Sequence, residues 1–181
     1  MQRLSVIGTS GVGKTSLAKR LASRLDLRHI EVDGIFHQAN WTPLDDATFR
    51  SEMKERCAEE RWVTDANYSV VRDLILDRAD TVVWLDYSRV VTTGRVLRRT
   101  LRRAITHEEL WNGNREPLSG LFRWDPEQSI LRWSWTSYAL KRAQYSSDLE
   151  NGRFGGAEVL RFRTPSETER WLDTLPNPDR I

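Results

Sequence analysis

The segment that most constrains the fold lies near the start of the chain, where Gly8 to Thr15 read GTSGVGKT. The apolar run Leu4 to Ile7 precedes it, and apolar residues at helical spacing follow it. A strand that turns through glycines directly into a helix brings several backbone N–H groups to one point. The helix adds the positive end of its dipole there. The sequence therefore predicts an anion-binding loop between the first strand and the first helix.

Every fixed position of the pattern G-x-x-x-x-G-K-[ST] is present, which is typical of a loop that binds nucleotide phosphates, a P-loop. Lys14 is expected to reach the β- and γ-phosphates, and the Thr15 hydroxyl to ligate Mg²⁺. The chain has no N-K-x-D segment of the kind that selects guanine, so the sequence favours ATP over GTP. The residues predicted to bind the nucleotide are Gly8, Ser10, Gly11, Val12, Gly13, Lys14, Thr15 and Ser16.

Segments with strand character alternate with helical segments along the rest of the chain. Further strands are predicted at 28–33, 61–65, 80–86 and 157–162, and further helices near 45–57, 90–106, 134–150 and 165–175. This alternation implies crossover connections, and hence a parallel sheet with helices on both faces. Ligands of such sheets bind beyond the carboxyl ends of the strands. We therefore expect Asp33, Asp65 and Asp86 to lie at the same edge as the glycine loop.

One of these three aspartates is expected to complete the Mg²⁺ shell, because P-loop sites normally add a carboxylate from a strand end. An aspartate at a strand end also serves as a turn former or a helix cap. The residue types alone therefore leave Asp33, Asp65 and Asp86 open as metal ligands.

Five arginines mark the predicted helix 90–106. They form one stripe at helical spacing, with Leu97, Leu101 and Ile105 on the opposite side: Arg95, Arg98, Arg99, Arg102 and Arg103. Arginine without lysine favours forked contacts to phosphate oxygens, so contact with nucleotide phosphates is the preferred interpretation. Two alternatives stay open: a grip on a nucleic-acid backbone, with the aromatic residues of 132–138 stacking on bases, and a solvated basic face.

The length, the net charge, the cysteine count and the lack of long apolar runs limit what kind of protein this is. Its 181 residues suffice for one domain, 1–181, and a net charge of +2 does not suggest a nucleic-acid binder. Cys57 is the sole cysteine, which excludes an intrachain disulfide. No cleavable leader and no apolar run of membrane-spanning length is evident. We therefore expect a cytoplasmic protein that does not bind membranes.

The order of these motifs resembles the adenylate-kinase-like group of small P-loop kinases. The segments WVTDANYSVVRDLI, ADTVVWLD and RRTLRR, together with ELWNGNRE, are similar to the bacterial branch called DNA topology modulation proteins. The resemblance implies an α/β P-loop fold whose five parallel strands have the order 2-3-1-4-5. It also implies an acceptor-binding insertion at 37–60 and a lid at 107–140.

The resemblance assigns roles to individual residues. It places the Mg²⁺ carboxylate on Asp65, and the lid arginines that contact ATP on Arg95 and Arg99. Adenylate kinases have Gly-Phe-Pro-Arg after the third-strand aspartate, whereas this chain has Ala-Asn-Tyr-Ser and its next arginine is Arg72. AMP is therefore not assigned as the acceptor.

The resulting hypothesis is an ATP-dependent kinase that moves the γ-phosphate to a small acceptor, with nucleotides among the candidates. Lys14, Arg95 and Arg99 would act on the transferred group. Asp33 would orient or deprotonate the acceptor hydroxyl, and Asp33, Asn67 and Arg72 would bind the acceptor. The alternative is a regulatory or nucleic-acid-binding protein that uses ATP as a switch. The sequence names neither the acceptor nor the oligomeric state.

Overall fold

The computed structural model describes residues 1–65, 68–106, 109–115 and 130–176, without the side chains of 104 and 130–134. The strands are β1 (Arg3–Gly8), β2 (Arg28–Ile30), β3 (Trp62–Thr64), β4 (Thr81–Leu85) and β5 (Glu158–Phe162). The helices are α1 (Lys14–Leu25), α2 (Val32–Phe36), α3 (Asp46–Cys57), α4 (Arg72–Leu76), α5 (Arg89–Thr106), α6 (Ile130–Glu150) and α7 (Pro165–Thr174). Single 3₁₀ turns lie at Ala39–Trp41, Ser69–Val71 and Trp111–Gly113.

The described strands form one parallel sheet in the order β2-β3-β1-β4-β5, which confirms the predicted architecture. β1 is central and pairs with β3 on one side and β4 on the other. Its side chains alternate between the two faces of the sheet. Leu4 and Val6 pack with residues of α1 and α7, and Ile7 packs with Tyr145 of α6. The helices thus cover both faces, and the glycine loop leaves the sheet at the carboxyl end of its central strand.

The second strand is shorter than the sequence predicted. It ends at Ile30, which pairs with Thr64, the last residue of β3, so the edge strand has no neighbour beyond this point. Asp65 Oδ1 accepts a hydrogen bond of 3.3 Å from the backbone N–H of Val32, where α2 begins. The prediction that Asp33 closes a strand was therefore wrong: Asp33 lies in the first turn of α2.

Helix α3 agrees with the helix predicted near 45–57. Asp45 is its N-cap, and its carboxylate accepts a hydrogen bond of 3.0 Å from the Thr48 N–H. Phe49, Met53 and Cys57 are fully buried against the β2–β3 edge of the sheet. The residues between β2 and β3 therefore cover this edge of the sheet.

The side of helix α5 that packs against the protein is not the side that carries its leucines. Thr92, Val96 and Thr100 are buried, whereas Leu97 and Leu101 remain 42% and 44% exposed. The buried side faces the glycine loop and α6, so loop packing rather than apolar character sets the rotation of this helix. Among the described residues, no helix combines the length and the apolar character that crossing a membrane requires.

Candidate active site

The glycine loop connects β1 to α1 and has the backbone geometry that an anion site needs. Gly11 and Gly13 have φ values of +74° and +106°, a region that L side chains rarely adopt. A Cβ at Gly11 would lie 2.1 Å from Cγ2 of Val96, because α5 packs directly on the loop. Gly13 is the N-cap of α1 and supplies no side-chain hydrogen bond to the first turn. The amino end of α1 is therefore available to an anion.

Lys14 points back over the loop. Its Nζ donates to the carbonyl oxygens of Gly8 and Thr9, at 3.1 and 3.2 Å. Burial lowers the pKa of Lys14, the charges of Asp33 and Asp65 oppose that shift, and Arg99 and Lys141 add to it. Two carboxylates and two further cations thus act on this ammonium group.

The other loop residues that are predicted to bind the nucleotide differ in how far they are buried. Val12 is fully buried, so only its backbone is available to a nucleotide. Thr15 is half-buried at the first turn of α1, and Ser16 is exposed. These positions surround the same helix end, as a phosphate-binding loop requires.

The arginines of α5 are not equivalent. The guanidinium of Arg95 donates to the Val12 carbonyl at 2.5 Å and lies 5.2 Å from the Tyr87 ring centroid. Arg99 is half-buried one turn further and acts electrostatically on Lys14. Arg98 faces solvent. Arg95 thus contacts the P-loop directly, and the charge of Arg99 acts on its lysine. Their contact with ATP remains a prediction.

Asp65 follows β3 directly, and only 4% of its side chain is exposed. Besides Val32, its carboxylate faces Nε2 of His29 at 4.0 Å. Thr15 and Asp65 offer oxygen ligands, the type that Mg²⁺ prefers. Within the described ranges, no group of three or more His, Cys, Asp or Glu side chains could hold a metal ion. These residues therefore fit a Mg²⁺ ion that takes most of its ligands from nucleotide phosphates and water.

Asp86, the third strand-end aspartate, is buried and forms ion pairs with two arginines. Its carboxylate accepts from Arg142 of α6 at 2.7 Å and from Arg161 of β5 at 2.6 Å, and only 2% of the side chain is exposed. The Arg161 guanidinium lies 4.0 Å from the Trp84 ring centroid. Asp86 therefore links β4, β5 and α6. It differs in this respect from Asp33 and Asp65, whose charges act on Lys14.

Asp33 accepts a hydrogen bond of 2.7 Å from the Tyr68 hydroxyl. The same hydroxyl lies 3.3 Å from Nε2 of His37, so the three side chains form a chain. Burial raises the pKa of Tyr68, and the Asp33 charge raises it further. Burial lowers the pKa of His37. The phenol is therefore a neutral donor to the Asp33 carboxylate at physiological pH.

Arg72, a predicted acceptor ligand, pairs with Asp148 at 2.5 Å. Its side chain also lines a small cavity of about 30 Å³ between β1, α4 and α6, together with Tyr68 and Lys141. Asn67, the other predicted acceptor ligand besides Asp33, lies outside the described residues.

Two short turns lie face to face beside Asp33. Each of the turns 37–43 and 109–115 is closed by an antiparallel bridge between its first and last residues. The fourth residue of each is an asparagine in the left-handed region, Asn40 at φ 57° and Asn112 at φ 56°. We refer to this pair of turns as the clasp.

Asparagine side chains hold the clasp together. Asn114 is 4% exposed; its Oδ1 accepts from the Trp41 N–H at 2.8 Å, and its Nδ2 donates to the Gln38 carbonyl at 2.9 Å. Asn112 donates to the His37 carbonyl at 2.6 Å. The ring of Trp111 lies against Gly34, where a Cβ would come within 2.8 Å of Cδ1. Residues 109–115, at the start of the predicted lid, are thus bound to the segment that follows Asp33.

The strand order, the glycine loop after the central strand and the helices on both faces of the sheet identify the fold. This is the P-loop kinase fold. The shikimate kinase from Acinetobacter baumannii in complex with shikimate is similar with a TM-score of 0.56 at 13% identity, over 96% of this chain and 92% of that one. The shikimate kinase from Bacteroides thetaiotaomicron gives 0.55 at 17% identity, over 95% and 94%. At these identities the likeness establishes the fold.

Neither protein-family models nor curated proteins match this sequence. The narrower resemblance to the DNA topology modulation branch therefore remains an inference from the sequence motifs alone.

Sequence reasoning missed three residues next to Asp33 and Lys14. Tyr68 stands three positions after Asp65, and that short spacing is the signal that could have singled it out. His37 and Lys141 reach the site from a loop and from α6, and they belong to no local motif. Only the tertiary arrangement brings them to the P-loop.

Proposed function

We propose that the protein is an ATP-dependent kinase that transfers the γ-phosphoryl group to a hydroxyl of a small acceptor. The observation that carries this proposal is the surroundings of Lys14. Lys14 lies over the loop carbonyls beside the amino end of α1, and the charges of Asp65 after β3 and of Asp33 in α2 both act on it. Phosphoryl transfer needs a cation on the phosphates, a carboxylate for the metal and a carboxylate for the acceptor hydroxyl, and these residues match those roles.

The loop residues 8–16 would hold the triphosphate through backbone N–H groups and the amino end of α1. Thr15 and Asp65 would hold Mg²⁺, which supplies charge neutralisation at the phosphates when bound. Lys14 would leave its carbonyl partners for the phosphate oxygens, a charge-assisted contact stronger than the neutral one it replaces.

Arg99 and Lys141, whose charges act on Lys14, would add positive charge near the phosphates. Catalysis of this kind consists mostly of positioning and electrostatic stabilisation, because charge spreads over the oxygens of the transferred group. Arg95, held against Val12 and Tyr87, would contact the nucleotide at the outer end of the loop.

Asp33 would accept the hydrogen bond, and then the proton, of the acceptor hydroxyl. Asn67 and Arg72 would line the acceptor side. In this proposal 37–60 forms the acceptor-binding insertion and 107–140 the lid, and the clasp joins the two. The shikimate kinase structures support a hydroxyl-bearing metabolite as the acceptor class, since one of them is a complex with shikimate.

The test is ATP consumption with Mg²⁺ against a panel of nucleoside monophosphates, sugars, shikimate and other hydroxylated metabolites. We expect one class of acceptor to raise consumption, and the phosphorylated acceptor to appear in equal amount with ADP. Lys14→Ala, folded by circular dichroism, should abolish the signal. Normal turnover in folded Lys14→Ala protein, or ATP consumption that no panel member changes while DNA does, would contradict the kinase assignment.

A further inference from the structure

The hydrogen-bonded chain Asp33–Tyr68–His37 lies at the acceptor side of the proposed site. Tyr68 contacts Asp33 Oδ1, and Asp33 Oδ2 makes no hydrogen bond with Tyr68. A phenol bound to one carboxylate oxygen fixes the plane of the carboxylate, because the short bond of 2.7 Å is directional. The other oxygen is thereby oriented without being occupied by the tyrosine.

The chain is held in a packed aromatic cluster. The Tyr68 ring centroid lies 4.6 Å from that of Phe36 and 5.4 Å from that of Phe49. The His37 ring lies between Trp41 and Trp111, at 5.4 and 6.4 Å. These contacts restrain both rings, so packing as well as hydrogen bonding sets the position of the phenol hydroxyl.

Hydrogen-bond roles follow from the neighbours. Since Tyr68 donates its only proton to Asp33, its oxygen is an acceptor toward His37, which must then carry its proton on Nε2. This leaves Nδ1 as an acceptor, and that atom is buried without a hydrogen-bond partner among the described residues. Burial lowers the pKa of His37, which favours the neutral ring that this arrangement requires.

We propose that Tyr68, held by His37, is a positioning residue that presents Asp33 to the acceptor hydroxyl. This inference rests on the proposed function. As the acceptor oxygen forms its bond to the γ-phosphorus, its proton passes to Oδ2 of Asp33, the oxygen that Tyr68 does not bind. The bond from phosphorus to the bridging oxygen breaks, and ADP leaves with that electron pair. Tyr68 and His37 keep their protons and act only through Asp33.

The charged and titratable groups that interact with Asp33 support this role. Lys14 lies on the P-loop side, Tyr68 follows β3, and His37 follows α2. Lys14 attracts the same carboxylate, so without Tyr68 the carboxylate would be free to turn toward the ammonium and away from an acceptor.

The experiment is a double-mutant cycle on phosphate release from Mg·ATP, with water as the acceptor. Asp33→Asn should lower kcat by about 100-fold and Tyr68→Phe by about 10-fold, within the range of general-base effects, while the KM for ATP stays within about two-fold. In the Asp33→Asn background, Tyr68→Phe should have an effect below about two-fold, because the phenol then has no carboxylate to position.

Three companion variants separate positioning from structure. Thr168→Val is the control for loss of a buried hydroxyl, since the Thr168 hydroxyl in α7 bonds to the Tyr87 hydroxyl at 2.6 Å, and we expect a native rate. His37→Ala should lower kcat, and His37→Gln should restore part of it, because the amide can donate to Tyr68. In Tyr68→Phe protein the ¹³C resonance of the Asp33 carboxyl should shift.

The outcomes distinguish the two proposals. Absence of ATP turnover by the native protein, with water and with every acceptor of the panel, would overturn the proposed function, and this inference with it. If only an acceptor supports turnover, the same cycle is measured with that acceptor. Native turnover combined with additive effects of Asp33→Asn and Tyr68→Phe, or with an unchanged kcat in Tyr68→Phe, would overturn only the positioning role.

Discussion

At the scale of single residues, the proposed function gives Lys14 and Arg99 different roles: Lys14 would hold the nucleotide, and Arg99 would act mainly on the transferred group. Lys14 is built into the loop and bound to two of its carbonyls, whereas Arg99 approaches from the separate helix α5. A residue that reaches the phosphates from another element can contribute mainly when the transferred group becomes most negative. The two substitutions should therefore fail in different ways.

Arg99→Ala should lower kcat by about 10³-fold or more, the scale of arginine contributions to phosphoryl transfer, with a much smaller loss of ATP affinity. Arg99→Lys should rescue only part of the rate, because it keeps the charge but not the planar fork. Arg98→Ala is the matched control and should stay near the native rate, since Arg98 faces solvent. Steady-state kinetics and ATP titration measure both quantities. Normal turnover by Arg99→Ala with a loss of salt-sensitive DNA affinity would instead favour nucleic-acid binding.

Asp65 and Asp33 should differ in their magnesium dependence. Asp65→Asn removes the one carboxylate of the proposed Mg²⁺ site, so the Mg²⁺ concentration for half-maximal activity should rise by about 10-fold or more. Asp33→Asn should leave that concentration unchanged and lower the maximal rate. Titrating Mg²⁺ at saturating ATP separates the two. Identical Mg²⁺ curves for both variants and the native protein would contradict this division of roles.

The residues that sequence could predict are those of a local motif. Gly8 to Thr15 specify their own geometry within one strand-to-helix turn, and so the loop was predictable. Asp86 had the same strand-end signal as Asp65, and only its contacts with Arg142 and Arg161 show that its carboxylate is engaged. Tyr68 became part of the site through a contact with Asp33, 35 positions away. Such pairings depend on tertiary packing, which a single sequence does not display.

At the scale of elements, the clasp is the contact that links the predicted lid to the predicted acceptor insertion. Asn114 contributes both a donor and an acceptor to main-chain groups of the partner turn, so its amide cannot be replaced by an apolar group without leaving buried polar atoms unpaired. Asn114 lies in the segment ELWNGNRE, which supports a family resemblance but does not by itself predict this structural role.

Asn114→Ala should destabilise the protein by about 1–3 kcal/mol, the range for buried polar groups left without partners. The control is Asn151→Ala, whose amide bonds only to Ser147 at the exposed end of α6 and should matter less. Urea denaturation followed by tryptophan fluorescence gives both values. Equal stabilities for the two variants would mean that the clasp contributes nothing to the folded state.

The boundary of a helix or strand was predictable where a local sequence signal sets it. It was not predictable where a neighbouring element in the fold sets it. Asp45 caps α3 through its own side chain, and that helix start followed from the sequence. The end of β2 depends on where β3 stops, so Asp33 was assigned to the wrong element. The rotation of α5 depends on the close approach of Val96 to Gly11, which overrides the apolar pattern of Leu97 and Leu101.

At the scale of the whole molecule, buried polar and ionisable groups tie the layers together. Asp86 joins β4, β5 and α6, and Cys57 lies fully buried where α3 covers the sheet edge. Burial raises the pKa of the Cys57 thiol to about 11. The thiol therefore reports on the folded state of the entire domain.

Cys57 should be unreactive toward thiol reagents in the folded protein at pH 8 and fully reactive in denaturant, because the thiolate is the reactive form. The folded-state pKa of about 11 exceeds the free-thiol value of 9.0. Its contribution to stability is thus complete below pH 9 and is lost as the pH rises toward 11. Denaturation curves from pH 8 to 11 should fall more steeply for the native protein than for Cys57→Ala. Equal slopes, or rapid labelling of the folded protein, would contradict this burial.

The central place of β1 also has a consequence for synthesis on the ribosome. The strand that carries the P-loop is made first, yet its neighbours β3 and β4 are made only with residues 62–64 and 81–85. Such non-local pairing delays folding until the distant partners exist. A nascent chain that stops before residue 62 has the whole GTSGVGKT segment but no sheet to hold it. Nucleotide binding should therefore appear late in translation, once Leu85 has emerged beside Gly8.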